Sequence, residues 1–253
     1  MSRASSRLQG LALPLLALAA AEAALRLHPT QSDAIAAPSA VAAALLRACA
    51  DASLLLATGQ TLLATLGGLV LGAGGGLLAG TLLGLSRPAA ARASLLVELL
   101  RPLPSVALIP VALLVFGFGY RLEMAVIGFA VFFPMLLLSM AAIRAVPQRL
   151  VEGSAVLRLS PLAPITKVVL PAALPRVFVA LRLCVGIALV VAVTTEIASN
   201  PQGLGFALLS AQQSLAPDLM LAVLVWIGLL GWVANAALLR LERAWFGAYK
   251  AAA

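Results

Sequence analysis

Long, nearly uncharged apolar segments recur along this chain, and they constrain its fold more than any other feature of the sequence. A helix needs about 20 apolar residues to cross the hydrocarbon core of a bilayer. Six segments meet that requirement: 8–27, 54–85, 95–117, 121–143, 176–199 and 218–240. Because lipid offers backbone groups no hydrogen-bond partners, each segment is predicted to be helical. The predicted fold class is an all-α membrane protein with about six transmembrane helices.

The composition supports this prediction. Of the 253 residues, 63% are hydrophobic and only 10% are charged, and the mean hydropathy is +1.10. A soluble domain carries roughly 25% charged residues, so this chain has too few charges to cover a water-soluble fold. Residues 1–30 are predicted to supply a first transmembrane helix and an outer loop, and residues 31–253 a single transmembrane core.

The positions of the lysines and arginines predict the orientation. With both termini in the cytoplasm, twelve of the 17 basic residues fall in cytoplasmic segments and three, Arg26, Arg47 and Arg121, fall outside. Cytoplasmic loops of membrane proteins carry such an excess of positive charge. The net charge of +8 therefore reflects topology and contact with the membrane surface, and no nucleic-acid partner is expected.

The first apolar segment has two readings. Arg3 and Arg7 precede it and Ala19–Ala21 resembles a cleavage site, as in a secretory signal peptide. The alternative is a transmembrane helix that stays attached, and the predicted orientation favours it.

Two segments beside the spans are predicted to lie at the membrane surface. Residues 40–50 are rich in alanine and precede the second span, so they are expected to form a helix on the outer side. Trp245, Phe246 and Tyr249 lie close to Arg243 and Lys250 near the C-terminus. Aromatic and basic residues in such proximity are typical of an interfacial anchor.

Regularly spaced glycines in the second span predict close packing against another helix. The second span has a glycine at every fourth residue, at Gly68, Gly72, Gly76, Gly80 and Gly84. Small residues at this spacing allow close helix packing in lipid, either within one subunit or between two.

The third span contains Pro102, Pro104 and Pro110, which predict a kink because proline cannot donate a helical hydrogen bond.

The loop at about 144–175, between the fourth and fifth spans, is the most informative segment for function. Pro147 can start one short helix, and Ser160 can cap a second with Pro161 in its first turn. A basic helix–turn–helix with exposed apolar residues on the cytoplasmic face is suited to docking a soluble partner.

This loop resembles the signature loop of binding-protein-dependent ABC transporter permeases. The signature has Glu-Ala-Ala, three residues, Gly, nine residues, Ile, one residue and Leu-Pro. The matching positions are Glu152, Val168, Leu170 and Pro171. Gly153 and Ser154 replace the two alanines, and Arg158 replaces the glycine.

The resemblance extends over about residues 54–245 and is closest to the nitrate, sulfonate and taurine branch. The segments that carry it are 100–104, 107–110, 116–119, 132–134 and 203–206. It implies a type I ABC importer fold in a bacterial inner membrane, with two copies of the permease, two ATPase subunits and a periplasmic solute-binding protein. The loop would contain the coupling helix that contacts the ATPase, with Glu152, Arg149, Gly153, Ser154 and Arg158 at the interface.

Ionisable residues within or beside spans are candidates for the transport path. Glu98 and Arg101 are three residues apart, so they either pair with each other or leave Arg101 to attract an anion in a cavity. Glu196 would repel an anionic substrate, so a structural ion pair with a residue such as Arg182 is an equal alternative to a role in the path. The outer end of the path is predicted to include Thr194, Thr195, Glu196, Asn200 and Gln202.

No catalytic or metal site is predicted. The chain lacks a GxxxxGK[ST] loop, has no CxxC spacing and has a single histidine, His28. ATP and Mg²⁺ are therefore expected to bind the partner ATPase and not this chain. Two rival classes are an ion-gradient-driven secondary transporter and a membrane enzyme or scaffold. Branch membership implies a small anionic substrate or, alternatively, a heterocyclic vitamin precursor.

Overall fold

The computed structural model describes residues 3–27, 35–150, 152 and 163–251, and the regular structure within these ranges is entirely helical. A 3₁₀ turn, Ser105–Leu108, precedes α5, and a π-helical turn, Ile165–Val169, precedes α7. The α-helices are α1 (Arg3–Leu27), α2 (Pro38–Ala50), α3 (Ser53–Leu85), α4 (Arg87–Leu100), α5 (Ile109–Phe116), α6 (Tyr120–Arg144), α7 (Leu170–Ser199), α8 (Gly203–Gln213) and α9 (Pro217–Ala251).

Four of these helices, α3, α6, α7 and α9, are long and apolar enough to cross a membrane. Helix α3 has 33 residues, which is about 50 Å at 1.5 Å per residue and exceeds the roughly 30 Å of a hydrocarbon core. Helices α3 and α6 begin and end within one residue of the predicted spans 54–85 and 121–143. Helices α1 and α7 end with their predicted spans but begin five and six residues earlier, and α9 continues beyond the predicted end of its span.

The third predicted span is broken. Helix α4 ends at Leu100, and the segment Ser105–Phe116 continues at an angle of 78° to it. Pro102 and Pro104 have no N–H to offer the carbonyls of Glu98 and Leu100, so the α-helical ladder stops there. The predicted kink is confirmed, and the two halves together make a fifth, broken span.

Helices α3 and α6 pack against each other through the five glycines at every fourth residue of α3, which we call the glycine stripe. A Cβ at Gly68 would lie 2.6 Å from Ile127 Cβ, and one at Gly84 would lie 2.8 Å from Ile143 Cβ. Gly72, Gly76 and Gly80 approach α6 at the same offset in sequence, next to Val131, Met135 and Ser139. These five glycines therefore serve packing within the subunit, which confirms one of the two predicted readings.

The constant offset also shows that α3 and α6 run in the same direction. The chain must therefore return between Leu85 and Tyr120, and α4 and α5 provide that return. Helix α7 runs antiparallel to α6, since Arg176 contacts Ala145 at one end and Asn200 contacts Glu123 at the other. We call these ends the Arg144 end and the α8 end of the bundle.

The main core lies between α3, α5, α6 and α7. Fully buried side chains include Leu122, Ile127 and Met135 of α6 and Cys184 of α7. Buried side chains of α2, α3, α8 and α9 form a second cluster at the α8 end around Leu204. These two clusters hold α3 and α7 in place beside the bend at Leu100.

Helix α2 covers the segment predicted to form an outer surface helix, and it packs against α9. Ala44 and Ala48 are buried there, and Arg47 forms a 3.2 Å ion pair with Asp218 at the start of α9. In the turn to α3, the Ser53 hydroxyl and backbone N–H hold the pKa of the Asp51 carboxyl below its usual value.

The aromatic residues near the C-terminus contact α7. The rings of Trp245 and Phe246 lie 6.1 and 5.8 Å from the ring of Phe178, centroid to centroid. Trp245 remains 64% exposed, so it is free to meet lipid or water. The side chain of Tyr249 lies outside the described part of the structure, and the interfacial anchor stays a prediction.

Candidate functional site

The bend between α4 and the 3₁₀ turn places Arg101 beside open space in the middle of the bundle. Arg101 lies 14 residues after Arg87, the first residue of α4, and is therefore about 21 Å further along the helix axis. Its backbone N–H still bonds to Val97 O at 2.9 Å. Its exposed guanidinium forms no hydrogen bond or ion pair with the described residues. In particular, no ion pair joins Arg101 to Glu98, so of the two predicted arrangements the structure shows the one in which Arg101 is unpaired.

A wide cavity of about 880 Å³ lies on one side of Arg101 and extends to the Arg144 end. Helices α3, α4 and α6 form its walls, and Gln148, Pro164 and Ile165 border it from the loop segment. Its ionisable lining residues, in the described part of the chain, are Arg87, Glu98, Arg101 and Arg144. Three arginines against one glutamate give the wide cavity a positive potential.

A second space, the bend cavity, has a volume of about 500 Å³ and lies between the bend, α6 and α7. Phe129, Phe133 and Leu183 are among its apolar walls, and Ser105 adds a hydroxyl. Arg101 is the one ionisable residue among the described side chains that line it. A charge flanked by apolar walls acts on an anion more strongly than the same charge in water, because the local dielectric is lower. Arg101 therefore borders two neighbouring spaces, one wide and basic, the other narrower and largely apolar.

The residues predicted to contact an ATPase lie at the Arg144 end. A helix begins after Pro147 as predicted and includes residues 148–150 and 152. Arg149 and Glu152 are exposed on it. Gly153, Ser154 and Arg158, as well as the predicted cap at Ser160, lie outside the described residues. The docking role of this loop stays a prediction.

The residues predicted for the outer end of the path lie at the α8 end and make contacts within the chain. Thr194 and Thr195 donate to the carbonyls of Val190 and Val191 at 2.7 and 2.8 Å. Thr195 is fully buried, and Glu196 and Asn200 are 1% and 3% exposed. None of the five predicted residues, which include Gln202, lines the wide cavity or the bend cavity. Their role in a path stays a prediction.

The predicted ion pair between Glu196 and Arg182 is wrong. Arg182 Nη1 instead lies 3.3 Å from Glu242 Oε2 of α9. Glu196 is more than three helical turns further along α7, where its carboxylate accepts a hydrogen bond from Gly205 N–H at 2.7 Å. The residues share a helix but contact different neighbours, which the sequence spacing alone does not reveal.

The start of α8 is bound by side chains from two other helices. Gln60 Oε1 accepts from Gly203 N–H and Thr61 Oγ1 accepts from Leu204 N–H, both at 2.9 Å. Together with Glu196, these α3 side chains satisfy the first three N–H groups of α8, which have no intrahelical partner. Gly203 adopts a φ of +88°, a conformation that favours glycine.

Sequence reasoning missed Glu123, which is fully buried near the start of α6. It accepts a hydrogen bond from the Asn200 amide, and Asn200 Oδ1 accepts from Gly119 N–H at 3.0 Å. A glutamate three residues into an apolar span was the available signal, since such residues require a partner in a membrane. The turn after α7 is thereby attached to the start of α6.

A helical bundle with four long apolar spans and a further span that is broken in the middle is the architecture of a polytopic membrane protein. Residues 72–246 match the binding-protein-dependent transport system inner membrane component family, and the chain belongs to that family. The family match includes the broken span, the loop at 144–175 and both cavities.

Similar proteins include permeases of several importers. The taurine transport system permease protein of Escherichia coli K12 is 30% identical over 65% of this chain and 60% of its own length. The bicarbonate transport system permease protein of Synechococcus elongatus is 35% identical over 60% of this chain and 55% of its own. The nitrate import permease protein of Leptolyngbya laminosa is 27% identical over 62% of this chain and 56% of its own length. The chain thus spans less than two thirds of the length of these relatives.

Among solved structures, the inward-facing MetNI methionine ABC transporter contains a chain with a similar fold. The TM-score is 0.62 at 22% identity, and the match covers 76% of this chain and 93% of that one. The similarity supports the type I ABC importer permease fold predicted from the sequence.

Proposed function

We propose that this chain is the transmembrane permease subunit of an ATP-driven importer and that it translocates a small anion, such as a sulfonate, taurine or nitrate. The observation that carries the proposal is the position of Arg101. Its guanidinium is unpaired within the described chain and borders both the wide cavity and the bend cavity. An ionisable residue that lacks a partner within the spans of a membrane protein is a candidate for the transport path.

The substrate class is supported by the names of the relatives. Nitrate and bicarbonate are anions, and taurine carries a sulfonate group; the relatives' names assign these solutes to them. A planar guanidinium binds carboxylates and other oxyanions through two parallel hydrogen bonds. One arginine at a bend between two cavities therefore suits all three solutes.

The chain is proposed to act as a non-catalytic subunit in a larger assembly. Two copies would form the path, with both termini in the cytoplasm of a bacterial inner membrane. Two ATPase subunits would bind ATP and Mg²⁺ and contact the loop at 144–175 through Arg149, Glu152, Gly153, Ser154 and Arg158. A periplasmic binding protein would deliver the solute at the α8 end. The family description and the exposed position of Arg149 and Glu152 support this arrangement.

The experiment is ATP-dependent uptake into vesicles that contain the complete transporter and its binding protein. Radiolabelled nitrate, bicarbonate, taurine and ethanesulfonate are compared, and at least one is expected to accumulate. Arg101→Gln should lower its uptake about tenfold or more, because a cationic cleft concentrates anions by that order. Arg121→Gln is the matched control, since Arg121 is also an exposed arginine but lines neither cavity.

Three outcomes would contradict the proposal. Uptake driven by an ion gradient without ATP would indicate a secondary transporter. Uptake of a neutral heterocycle in preference to all four oxyanion-bearing solutes would indicate a vitamin precursor as the substrate. Equal uptake by the Arg101→Gln and Arg121→Gln variants would remove Arg101 from the path.

A further inference from the structure

A third cavity, of about 680 Å³, lies between α6, α7 and α9; we call it the α7–α9 cavity. Helix α6 contributes small and apolar side chains to its wall. The polar groups come from Arg176 and Arg182 of α7 and from Asn235 of α9, and the described lining contains no acidic residue. The cavity is within the size range of small-molecule sites, roughly 300–1,000 Å³.

The two arginines are held in place by contacts that leave donors available. Arg176 Nη1 donates to the carbonyl of Ala145, just after α6, at 3.0 Å. Arg182 Nη1 donates to Glu242 Oε2 at 3.3 Å, and the side chain of Arg182 is 32% exposed whereas that of Glu242 is 8% exposed. A guanidinium has five N–H donors, so one such contact each leaves most of them for a ligand.

Asn235 lies in an apolar stretch of α9 and is exposed to the cavity. Its side-chain amide makes no hydrogen bond with the described residues. A polar side chain without a partner at membrane depth is expensive and marks a functional position by default. The amide adds a neutral donor beside two cationic ones.

The α7–α9 cavity adjoins the bend cavity. Leu138 of α6 and Leu183 of α7 line both, so these two leucines form an apolar partition between the space beside Arg101 and the space beside Arg182. Across all three cavities, the described ionisable lining residues are five arginines and one glutamate. The charge that borders these three cavities is therefore predominantly positive.

We infer that the α7–α9 cavity is a second oxyanion-binding site, in which Arg176, Arg182 and Asn235 hold the anion that Arg101 attracts on the other side of the Leu138–Leu183 partition. This inference rests on the proposed transport of an anion. Two sites of moderate affinity separated by an apolar partition allow an anion to enter and also to leave, since one deep site would retain it. The same chemistry would suit the phosphate of an anionic lipid, so the test must separate the two.

The test uses the full chain with Asn235→Cys and Cys49→Ser in phosphatidylcholine vesicles. Cys184 is fully buried and is retained. The rate of labelling by the anionic reagent 2-sulfonatoethyl methanethiosulfonate is compared with that of its trimethylammonium analogue. We expect the anionic reagent to react about tenfold faster or more, because a cavity of one charge sign concentrates counter-ions to that degree. Ethanesulfonate should protect the thiol.

Val233→Cys is the matched control. Val233 is 49% exposed and two residues from position 235, so it projects about 200° around the helix from it at nearly the same depth. Its thiol should show no preference for the anionic reagent. Adding Arg176→Gln to the Asn235→Cys chain should reduce the preference, since Arg176 contacts only a backbone carbonyl in the described chain and its loss removes a positive charge.

The inference is overturned if both reagents label the Asn235→Cys chain at equal rates while the uncharged methyl methanethiosulfonate still reacts. It is also overturned if phosphatidylglycerol in the vesicles blocks labelling whereas ethanesulfonate does not, since the cavity would then hold a lipid headgroup. Neither result depends on uptake, so failure here is distinguishable from failure of the Arg101 experiment.

Discussion

The carboxylate of Glu196 accepts a hydrogen bond from the backbone N–H of Gly205 at 2.7 Å. Glu196 belongs to α7 and Gly205 to the first turn of α8, so this bond fixes the angle between two consecutive helices. A negative charge at a helix N-terminus also interacts favourably with the helix dipole. Gly203 lies against the same carboxylate, where a Cβ would overlap it.

Replacing Glu196 with alanine should therefore destabilise the protein. The Gly205 N–H would be left buried without a partner, at a cost of about 1–3 kcal/mol. Glu196→Gln retains an acceptor oxygen and should lose less. Glu98→Ala is the control, because Glu98 is exposed and has no partner in the described chain. Thermal unfolding in detergent measures the difference, and equal midpoints for Glu196→Ala and Glu98→Ala would refute the assigned role.

Asn200 makes a second connection at the α8 end that can be tested by comparing two asparagines. Asn200→Ala should cost about 2–4 kcal/mol, because both the Gly119 N–H and the Glu123 carboxylate lose a buried hydrogen bond. Asn235→Ala removes an equal side chain that is exposed and has no partner in the described chain. Its unfolding midpoint in detergent should match that of the unsubstituted protein. A similar decrease of the unfolding midpoint in both variants would mean that the hydrogen bonds of Asn200 do not stabilise the protein.

The glycine stripe gives a sharper comparison within one helix. A Cβ at Gly72 would overlap the backbone of Gly128, whereas one at Gly74 would meet nothing within 4 Å. Gly72→Ala should push α3 away from α6 and cost about 1–3 kcal/mol. Gly74→Ala should be neutral or stabilising by up to about 1 kcal/mol, since alanine favours a helix. Unfolding midpoints in detergent that fall equally in both variants would contradict the packing described for α3 and α6.

These contacts show what the sequence could predict and what it could not. Hydropathy predicted the ends of α3 and α6 to within one residue, because the length and composition of an apolar segment determine whether it can lie in lipid. The proline pair at 102 and 104 predicted the broken span for a local reason. The partners of Glu196 and Arg182 depend on how helices far apart in sequence are arranged around each other. Nothing in the spacing of these residues encodes that arrangement.

The arrangement of the three neighbouring cavities was also beyond the sequence. Arg101, Arg144, Arg176 and Arg182 are scattered over 81 positions, and two of them were assigned to cytoplasmic segments by charge alone. The bend at Leu100 and the antiparallel pairing of α6 and α7 bring these arginines to the walls of three neighbouring cavities. For Arg101, the sequence predicted either an ion pair with Glu98 or an unpaired state in a cavity. The other three arginines were not predicted to line a cavity.

The exposed Glu152 provides the test of the proposed contact with an ATPase. Glu152→Lys reverses the charge at the Arg144 end, and like charges across an interface reduce both association and coupling. We expect either loss of the ATPase on co-purification or ATP hydrolysis that continues while uptake stops. Asp51→Lys is the control, because Asp51 is an exposed acid at the α8 end, away from the proposed interface. Uptake per ATP hydrolysed is the deciding measurement. If the Glu152→Lys transporter assembles and couples as well as the Asp51→Lys transporter, the ATPase contacts this chain elsewhere.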